Sequence, residues 1–323
     1  METKYTCSNE HGILDDRYEL IKSIGEGGSS EVYIVKDLQD NNKEYALKLF
    51  KKSKYFQNEV KMNKIITEMK NSSFIKYITS SVGYLLKKGK KTLYPYIIFE
   101  FAKNGDIMNF IKKKELVFTE RQCKFIFAKI LSIVKTLHKK DICHRDLKFD
   151  NFLFDENFVI KLCDFGFSTK IPKDKNGKTL FLKGKVGTRH YAAPEILEDK
   201  EYDGKKVDIF SLGVILFTLR LKRFGFNTAT IPKIPEYAID PKDLLYKYIK
   251  EKNDIVYWKK IGNIEGLSED FKTLYLKMVA YNPKERPTIE EIYNYEWMKE
   301  IRDLDDTEFQ KCEEDLNKML KSL

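Results

Sequence analysis

The pattern of apolar and polar positions changes character near residue 106. Up to residue 101, apolar and polar side chains alternate in short runs, which predicts strands at residues 18–24, 31–35, 43–50, 79–86 and 93–101. A run with helical spacing at residues 55–69 interrupts these strands. Helical spacing then predicts helices at residues 106–112, 119–139, 209–219, 242–251, 268–280 and 288–300.

Local signals support two of these helices. Thr119, followed three residues later by Gln122, is typical of a capping box at a helix N-terminus. The longest apolar run, residues 209–219, is too short to span a bilayer and ends at Arg220, so we expect a buried helix. The chain therefore has a strand-rich first part and a helical second part.

Composition leads us to expect a protein with a solubilising surface. The chain has 323 residues and a net charge of +10, and its lysines are spread along the sequence rather than gathered in one arm. The sequence has neither an arginine-rich tail nor the spacing of zinc ligands, so we expect no nucleic-acid partner. Salt-dependent binding to RNA or DNA would test that alternative.

The cysteines and the N-terminus indicate the compartment. The five cysteines are odd in number and form no Cys-x-x-Cys pair, as in proteins whose thiols stay reduced. The N-terminus lacks an apolar signal region, and Glu2 stands where myristoylation needs glycine. We expect a cytoplasmic protein without a membrane segment, with the nucleus as the alternative.

A charged loop between two apolar runs is the first candidate for chemistry. Residues 144–151 read His-Arg-Asp-Leu-Lys-Phe-Asp-Asn. The Asp146 carboxylate can orient an attacking hydroxyl, the Lys148 ammonium can neutralise a moving phosphoryl group, and the Asn151 amide can bind Mg²⁺. The alternative is a solvated turn between two strands, so the rest of the chain must decide.

Four further motifs along the chain accompany this loop. A glycine-rich turn at residues 25–30 joins two strands, and glycines let the backbone approach phosphates closely. Ala46 and Lys48 place one lysine within an alternating strand. An Asp-Phe-Gly run at residues 164–166 ends another strand, and an Ala-Pro-Glu run closes at Glu195.

Together these motifs resemble those of the eukaryotic protein kinases, over residues 18–298. The one departure in the glycine pattern is Ser30, where the third glycine is usual. Lys148 indicates the serine/threonine form. Residues 191–195 and 289–297 look most like the calcium/calmodulin-dependent and AMP-activated kinase group.

The resemblance implies an α+β fold of two lobes, a small β-rich N-lobe with one main helix and a larger, mainly helical C-lobe. It places an N-terminal extension at residues 1–17 and a kinase domain at 18–298. Within that domain the N-lobe covers 18–101 and the C-lobe 106–298. A helical tail at residues 299–323 follows, and we expect it to pack on the C-lobe rather than to bind a partner.

The resemblance also implies catalytic roles. Asp146 would orient the substrate hydroxyl, Lys148 would stabilise the γ-phosphate, and Thr188 would hydrogen-bond to both. Lys48 would bind the α- and β-phosphates and pair with Glu59. Glu68 is an alternative partner that falls too late on its helix.

The resemblance implies two further contacts within the second part of the chain. Glu195 would pair with Arg286, which stands near the end of the kinase domain. Asp208 would tie the backbone of the catalytic loop, and a helix N-cap is the alternative role for this aspartate.

The implied ligands are ATP and Mg²⁺, with Mn²⁺ as an alternative ion, and the metal would be held by Asn151 and Asp164. Protein serine and threonine hydroxyls are the implied substrates of an expected monomer. The residues implied in nucleotide binding are Ile24, Gly25, Glu26, Gly27, Gly28, Ser29, Ser30, Val32, Ala46, Lys48, Phe99, Glu100, Ala102, Asp106 and Leu153.

Departures from the family pattern raise two questions. Asn63 stands where the helix after Lys48 normally carries an apolar residue, and a buried unpaired amide costs about 1–3 kcal/mol. In such kinases the arginine at the position of Arg145 often binds a phosphate on the activation segment, which here follows the Asp-Phe-Gly run and closes at the Ala-Pro-Glu run. The usual acceptor position in this segment is Gly184. Thr179 is the best-placed hydroxyl, ahead of Ser168 and Thr169. We expect an active conformation that needs no phosphate at the usual site.

Two matters stay open. A pseudokinase scaffold is the alternative to an active kinase, although none of the family's catalytic positions is lost. Substrate preference is also undecided, because Asp150 would favour basic residues near the acceptor and the lysine-rich activation segment would favour acidic ones.

Overall fold

The computed structural model describes residues 12–113, 116–226, 244–262 and 264–322. These residues fall into two units of tertiary contact. The first contains the chain as far as Asn104 together with Cys163–Gly166. The second contains Gly105–Leu162 and the chain from Phe167 onwards.

The first unit is a closed antiparallel barrel with one helix. Its strands follow the order β1-β2-β3-β4-β6-β5, and helix α1 (Ser53–Glu68) connects the fourth strand to the fifth. The strands are β1 (Ile13–Leu14), β2 (Tyr18–Glu26), β3 (Ser30–Asp37), β4 (Lys43–Phe50), β5 (Tyr77–Lys87) and β6 (Lys90–Glu100).

Alternation along the strands fills the inside of this barrel. Leu47 and Leu49 of β4 point into the core beside Ile98 of β6, because side chains two apart share a face. The core residues are Leu14, Tyr18, Leu20, Val35, Tyr45, Leu47, Leu49, Leu85, Tyr96 and Ile98. β3 and β4 pair without a break from Ser30↔Phe50 to Asp37↔Lys43, so the opposite face of β4 keeps a defined register.

The start of the chain differs from the expectation of an extension up to residue 17. Ile13–Leu14 pairs with both β2 and β5 and closes the barrel, and Leu14 is fully buried. Arg17 adds a two-pronged contact with Asp37 at 2.9 and 2.7 Å. The described part of the predicted extension therefore belongs to the sheet, and residues 1–11 lie outside the described part of the chain.

The second unit is mainly helical. Its short strands pair as β7 with β10 and β8 with β9. The strands are β7 (Ile142–Cys143), β8 (Phe152–Phe154), β9 (Ile160–Leu162) and β10 (Thr169–Lys170). The helices are α2 (Ile107–Ile111), α3 (Glu120–Lys139), α4 (Pro194–Leu197), α5 (Gly204–Leu221), α6 (Leu245–Lys250), α7 (Asp254–Ile261), α8 (Glu269–Met278), α9 (Ile289–Asn294), α10 (Lys299–Arg302) and α11 (Asp306–Lys321).

Two helices of this unit carry the signals that predicted them. α3 begins after a capping box formed by Thr119 and Gln122. α5 is buried along most of its length, as the apolar run predicted. The carboxylate of Asp203 accepts hydrogen bonds from the amides of Lys205 and Lys206 at the start of α5, so Asp203 is its N-cap.

The C-terminal tail packs against α3, as expected. The rings of Phe125 and Phe309 lie 4.8 Å apart, and Lys129 pairs with Glu313 at 2.8 Å. Leu316 is buried on the same helix, α11. Three prolines, at positions 232, 235 and 241, predict an irregular loop at residues 222–241. Residues 227–241 of this loop lie outside the described part of the chain.

The strand-rich first part and the helical second part confirm the α+β prediction. Among the helices that the structure describes, none combines the length and the apolar character needed to cross a membrane.

Candidate active site

A buried lysine in the first unit joins two carboxylates. Because Leu47 and Leu49 face the barrel core, Lys48 points to the opposite face of β4. Its ammonium donates to both carboxylate oxygens of Glu59 at 2.8 Å and to Oδ1 of Asp164 at 3.0 Å. The sequence predicted the pair with Glu59, and the structure brings Asp164 to the same cation.

Burial and charge act against each other in this cluster. Burial raises the pKa of Glu59 to about 7, although the positive charge of Lys48 partly offsets the effect. Burial alone would lower the pKa of Lys48, but the carboxylates of Asp164 and Glu59 outweigh it and raise that pKa above its usual range. Lys48 therefore stays charged near neutral pH.

The Asp-Phe-Gly run is fixed within the first unit by α1. The side-chain amide of Asn58 donates to the Gly166 carbonyl at 2.7 Å. A Cβ at Gly166 would lie 3.0 Å from Oε2 of Glu59, so the close approach favours glycine. Phe165 is buried and stacks edge-on against Phe74 at 5.8 Å. Sequence reasoning missed Asn58, whose only signal was its position beside Glu59.

The polar residue Asn63 has a partner. Its amide nitrogen donates to the carbonyl of Glu59 at 2.8 Å, one turn back along α1. The buried amide is therefore satisfied within its own helix, and the cost expected for an unpaired group does not arise.

Four residues predicted to bind nucleotide share one face of the barrel. Val32 is the cross-strand partner of Lys48, and Ala46 is the partner of Phe99. Since cross-strand partners point the same way, these four side chains lie on the face opposite the barrel core. The glycine-rich turn from Gly25 to Gly28 is exposed, and the amide of Gly27 donates to the Ser30 carbonyl at 2.9 Å.

Strand β6 ends at Glu100, beside the buried Ala102. The Glu100 amide donates to the carbonyl of Lys76 at 2.9 Å, and its carboxylate accepts from the Lys76 amide at the same distance. The backbone N–H of Glu100 therefore already donates a hydrogen bond within the protein.

In the second unit, a buried aspartate holds the loop at residues 144–151. The carboxylate of Asp208 accepts hydrogen bonds from the amides of His144 and Arg145 at 2.9 and 2.8 Å. Nε2 of His138 lies 2.8 Å from the same carboxylate. The sequence predicted this tie, but the alternative of Asp208 as a helix N-cap is wrong, because α5 begins four residues earlier.

Lys148 is the centre of the polar contacts in this loop. Its ammonium lies 3.2 Å from Oδ2 of Asp146 and donates to the Thr188 hydroxyl at 2.9 Å. Thr188 was expected to bond directly to Asp146 as well, but the structure links them through Lys148. The Asn151 side chain donates to the Asp146 carbonyl at 2.8 Å, which leaves its amide oxygen as the group that can bind a cation.

One oxygen of Asp146 stands out. The residue is 5 % exposed, and Oδ1 is buried without a hydrogen-bond partner among the described residues. Beside it, Gly187 adopts φ +85°, and a Cβ there would lie 2.4 Å from the Arg145 carbonyl. Only glycine lets the backbone at residue 187 approach the loop this closely. The segment that contains Gly187 therefore packs directly against the backbone next to Asp146.

Asp106 and Leu153 are paired in an isolated bridge within the second unit. The Asp106 carboxylate accepts from the amide and the side-chain nitrogen of Asn109 at 2.8 and 2.7 Å, so it caps α2. Burial raises its pKa. The sequence did not assign this capping role.

Arg145 has partners that the sequence did not reveal. Nε donates to the Phe167 carbonyl at 2.8 Å, and Nη1 donates to the Tyr202 hydroxyl at 3.0 Å. Thr179 instead lies exposed and forms a bridge with Lys173. No spacing or motif signalled Tyr202.

The predicted pair between the Ala-Pro-Glu run and the late arginine is present. Arg286 holds both oxygens of Glu195, at 2.6 and 2.8 Å, and its Nε donates to the Ala280 carbonyl at 2.8 Å. Both side chains are buried, so the contact is a bidentate ion pair shielded from water.

Comparisons with known proteins agree with the order of these motifs. The family model described as protein kinase domain matches residues 18–298. The chain is 28 % identical over 282 residues to serine/threonine-protein kinase SIK1 of Mus musculus, covering 87 % of this chain and 32 % of that protein. It is 30 % identical over 282 residues to SIK2 of Gallus gallus, with the same coverage.

A plant relative is covered more fully. The chain is 28 % identical over 288 residues to serine/threonine-protein kinase SRK2C of Arabidopsis thaliana, covering 87 % of this chain and 75 % of that protein. The match to SIK1 and SIK2, by contrast, spans only 32 % of each protein.

Proposed function

Because the chain belongs to the protein kinase domain family, we propose that it transfers the γ-phosphoryl group of ATP to serine and threonine hydroxyls of proteins. The three relatives named above, SIK1, SIK2 and SRK2C, are serine/threonine-protein kinases by name. Lys148, two residues after Asp146, is the serine/threonine form of the loop.

The observation that carries the proposal is the unpartnered oxygen of Asp146. A buried carboxylate oxygen costs free energy unless it accepts a hydrogen bond. A substrate hydroxyl would supply that bond through its proton, and the carboxylate would orient the oxygen for attack on the γ-phosphorus. Lys148 lies 3.2 Å from the other oxygen, so that oxygen already has a partner in the chain.

Lys48 and Glu59 support the nucleotide half of the proposal. The ammonium would bind the α- and β-phosphates, and Glu59 would hold it in place. Lys48 keeps its charge because two carboxylates surround it. Val32, Ala46 and Phe99 share its face of the barrel and offer the apolar surface that an adenine ring needs.

We assign the remaining nucleotide contacts to the residues predicted from the sequence. The exposed turn would place backbone amides against the phosphates, and Asp106 would meet the ribose. The further residues in this proposal are Ile24, Gly25, Glu26, Gly27, Gly28, Ser29, Ser30, Glu100, Ala102 and Leu153.

Asn151 and Asp164 are the proposed holders of Mg²⁺. An amide oxygen and a carboxylate are ligands that this hard cation prefers. When bound, Mg²⁺ neutralises charge on the phosphates. Asp164 is the carboxylate that Lys48 contacts at 3.0 Å, so the chain already orients one of the two ligands.

The test is transfer of labelled γ-phosphate to a protein substrate by wild type and by Asp146→Asn. We expect the variant to lose transfer and to keep ATP binding, measured as thermal stabilisation by ATP and Mg²⁺. Asp315→Asn, the same change at an exposed position of α11, is the matched control and should keep transfer. Equal signals from wild type and Asp146→Asn would mean a contaminating kinase.

The pseudokinase alternative gives a different result in the same assay. A wild-type protein that is stabilised by ATP but transfers no phosphate would be a scaffold. We further propose a monomer that acts in the cytoplasm or nucleus, which size-exclusion chromatography with light scattering and localisation of the tagged chain would test.

A further inference from the structure

Among the residues that the structure describes, the partners of the Arg145 side chain are neutral groups of the second unit. Its Nε donates to the carbonyl of Phe167 at 2.8 Å and its Nη1 to the hydroxyl of Tyr202 at 3.0 Å. Its backbone amide donates to Asp208 at 2.8 Å. The guanidinium thus has acceptors from two elements without any modification of the chain.

We propose that Tyr202 is a positioning residue that takes the place of an activation-segment phosphate as the acceptor for Arg145. This inference rests on the proposed kinase function and concerns how that activity is regulated. In such kinases a phosphate orders the segment by supplying charged acceptors to an arginine. Here the phenol fills that position, so the catalytic loop is assembled in the unmodified chain.

Tyr202 is attached to the activation segment as well as to Arg145. Its backbone exchanges two hydrogen bonds with Leu182, at 2.8 and 2.9 Å, and its side chain is 1 % exposed. Two residues later, a Cβ at Gly204 would lie 3.0 Å from the Leu182 side chain, so the two segments are in close contact. One residue therefore joins the middle of the segment to the arginine beside Asp146.

Other contacts fix the two ends of the segment without a phosphate. Near its start, the amide of Ile171 donates to the Asp141 carbonyl at 2.7 Å, and the Asp141 carboxylate pairs with both Lys173 and Lys205. Near its end, the Thr188 hydroxyl accepts from Lys148 at 2.9 Å. With Tyr202 in the middle, the segment is tied at three places.

The segment also lacks a suitable acceptor for phosphate where one is usual. Residue 184 is a glycine at φ +110°, a backbone conformation that residues with side chains rarely adopt. Thr179 is exposed and pairs with Lys173 in an isolated bridge. The two guanidinium contacts of Arg145 are made to Phe167 and Tyr202.

The backbone of Arg145 shows why a fixed acceptor matters. Its φ is +64°, in the left-handed region that is unfavourable for a residue with a side chain. Such a conformation persists only where the surroundings determine it by several contacts. Asp208 holds the amide, while Phe167 and Tyr202 hold the side chain. Removing one acceptor should loosen the turn that presents Asp146.

The experiment compares Tyr202→Phe with wild type and with Tyr293→Phe. Each variant loses one hydroxyl, and Tyr293 is a matched control because its hydroxyl donates only to the Ala128 carbonyl, at 2.8 Å. We expect kcat of Tyr202→Phe to fall about tenfold, as one lost hydrogen bond to a charged group allows. Its KM for ATP should stay within about twofold, and Tyr293→Phe should keep wild-type kcat.

A second arm measures wild-type activity before and after phosphatase treatment, with mass spectrometry to verify that residues 168–188 are unmodified. We expect the activity to be unchanged. Loss of wild-type activity on phosphatase treatment, or a Tyr202→Phe kcat equal to that of wild type, would overturn this inference alone. If both tyrosine variants lost activity equally, a merely structural role would explain the result. Wild type that transfers no phosphate at all would overturn the proposed function and this inference together.

Discussion

Glu59→Gln tests the ion-pair cluster around Lys48 with the smallest change in shape. The substitution removes one negative charge from a residue that is 2 % exposed and contacts the ammonium at 2.8 Å through both oxygens. Removing one partner of a buried ion pair costs about 3–5 kcal/mol. Asp164 remains 3.0 Å from Lys48 and its side chain is 37 % exposed, so we expect the lower end, about 3 kcal/mol.

The effect on activity follows from the position of the lysine. With Gln at residue 59, the ammonium is attracted by Asp164 alone and is no longer fixed against α1. If the loss appears fully in the transition state, about 3 kcal/mol corresponds to a decrease in kcat/KM for ATP on the order of 100-fold. Steady-state kinetics with labelled ATP measure this decrease, and urea denaturation measures the stability.

Glu285→Gln is the matched control, because it removes one carboxylate from a pair on the surface. Lys252 contacts Glu285 at 3.0 Å, but the lysine side chain is 73 % exposed. An exposed pair of this kind contributes about 0–1 kcal/mol. The reasoning is refuted if Glu59→Gln keeps kcat/KM within about threefold of wild type, or if both variants lose the same stability.

One further prediction concerns charge and one concerns packing. Arg286→Met leaves Glu195 buried without its cation and should lower the free energy of unfolding by about 3–5 kcal/mol. Adding Glu195→Gln should recover part of that loss in urea denaturation. Asn63→Leu replaces a buried amide by an apolar group and should change the free energy of unfolding by less than about 1 kcal/mol, with activity unchanged.

Much of the fold could be predicted because local patterns decide it. β4 has the bounds that the alternation at residues 43–50 predicted, and α3 begins where the capping box placed it. The ion pairs Lys48–Glu59 and Glu195–Arg286 were also predicted, because each joins two motif positions whose order along the chain is fixed.

The remaining features depend on contacts between distant residues. Ile13–Leu14 becomes a strand because both β2 and β5 pair with it, and a two-residue run carries no period of its own. Tyr202 contacts Arg145 because of the three-dimensional course of the activation segment, which residue spacing along the sequence does not predict. The predicted hydrogen bond from Thr188 to Asp146 was wrong, because the ammonium of Lys148 contacts both side chains instead. Sequence spacing does not show which of two neighbouring side chains Thr188 contacts.

Membership of Cys163–Gly166 in the first unit has a consequence for synthesis on the ribosome. A chain is made from its N-terminus, and its domains generally fold in that order. The barrel strands and α1 are complete when residue 104 has been added, but Asp164 is made only after Gly105–Leu162. Until residue 164 has been added, Lys48 can pair with Glu59 but not yet with Asp164. The buried cation is therefore fully paired only after translation has passed Asp164, with the whole of Gly105–Leu162 made in between.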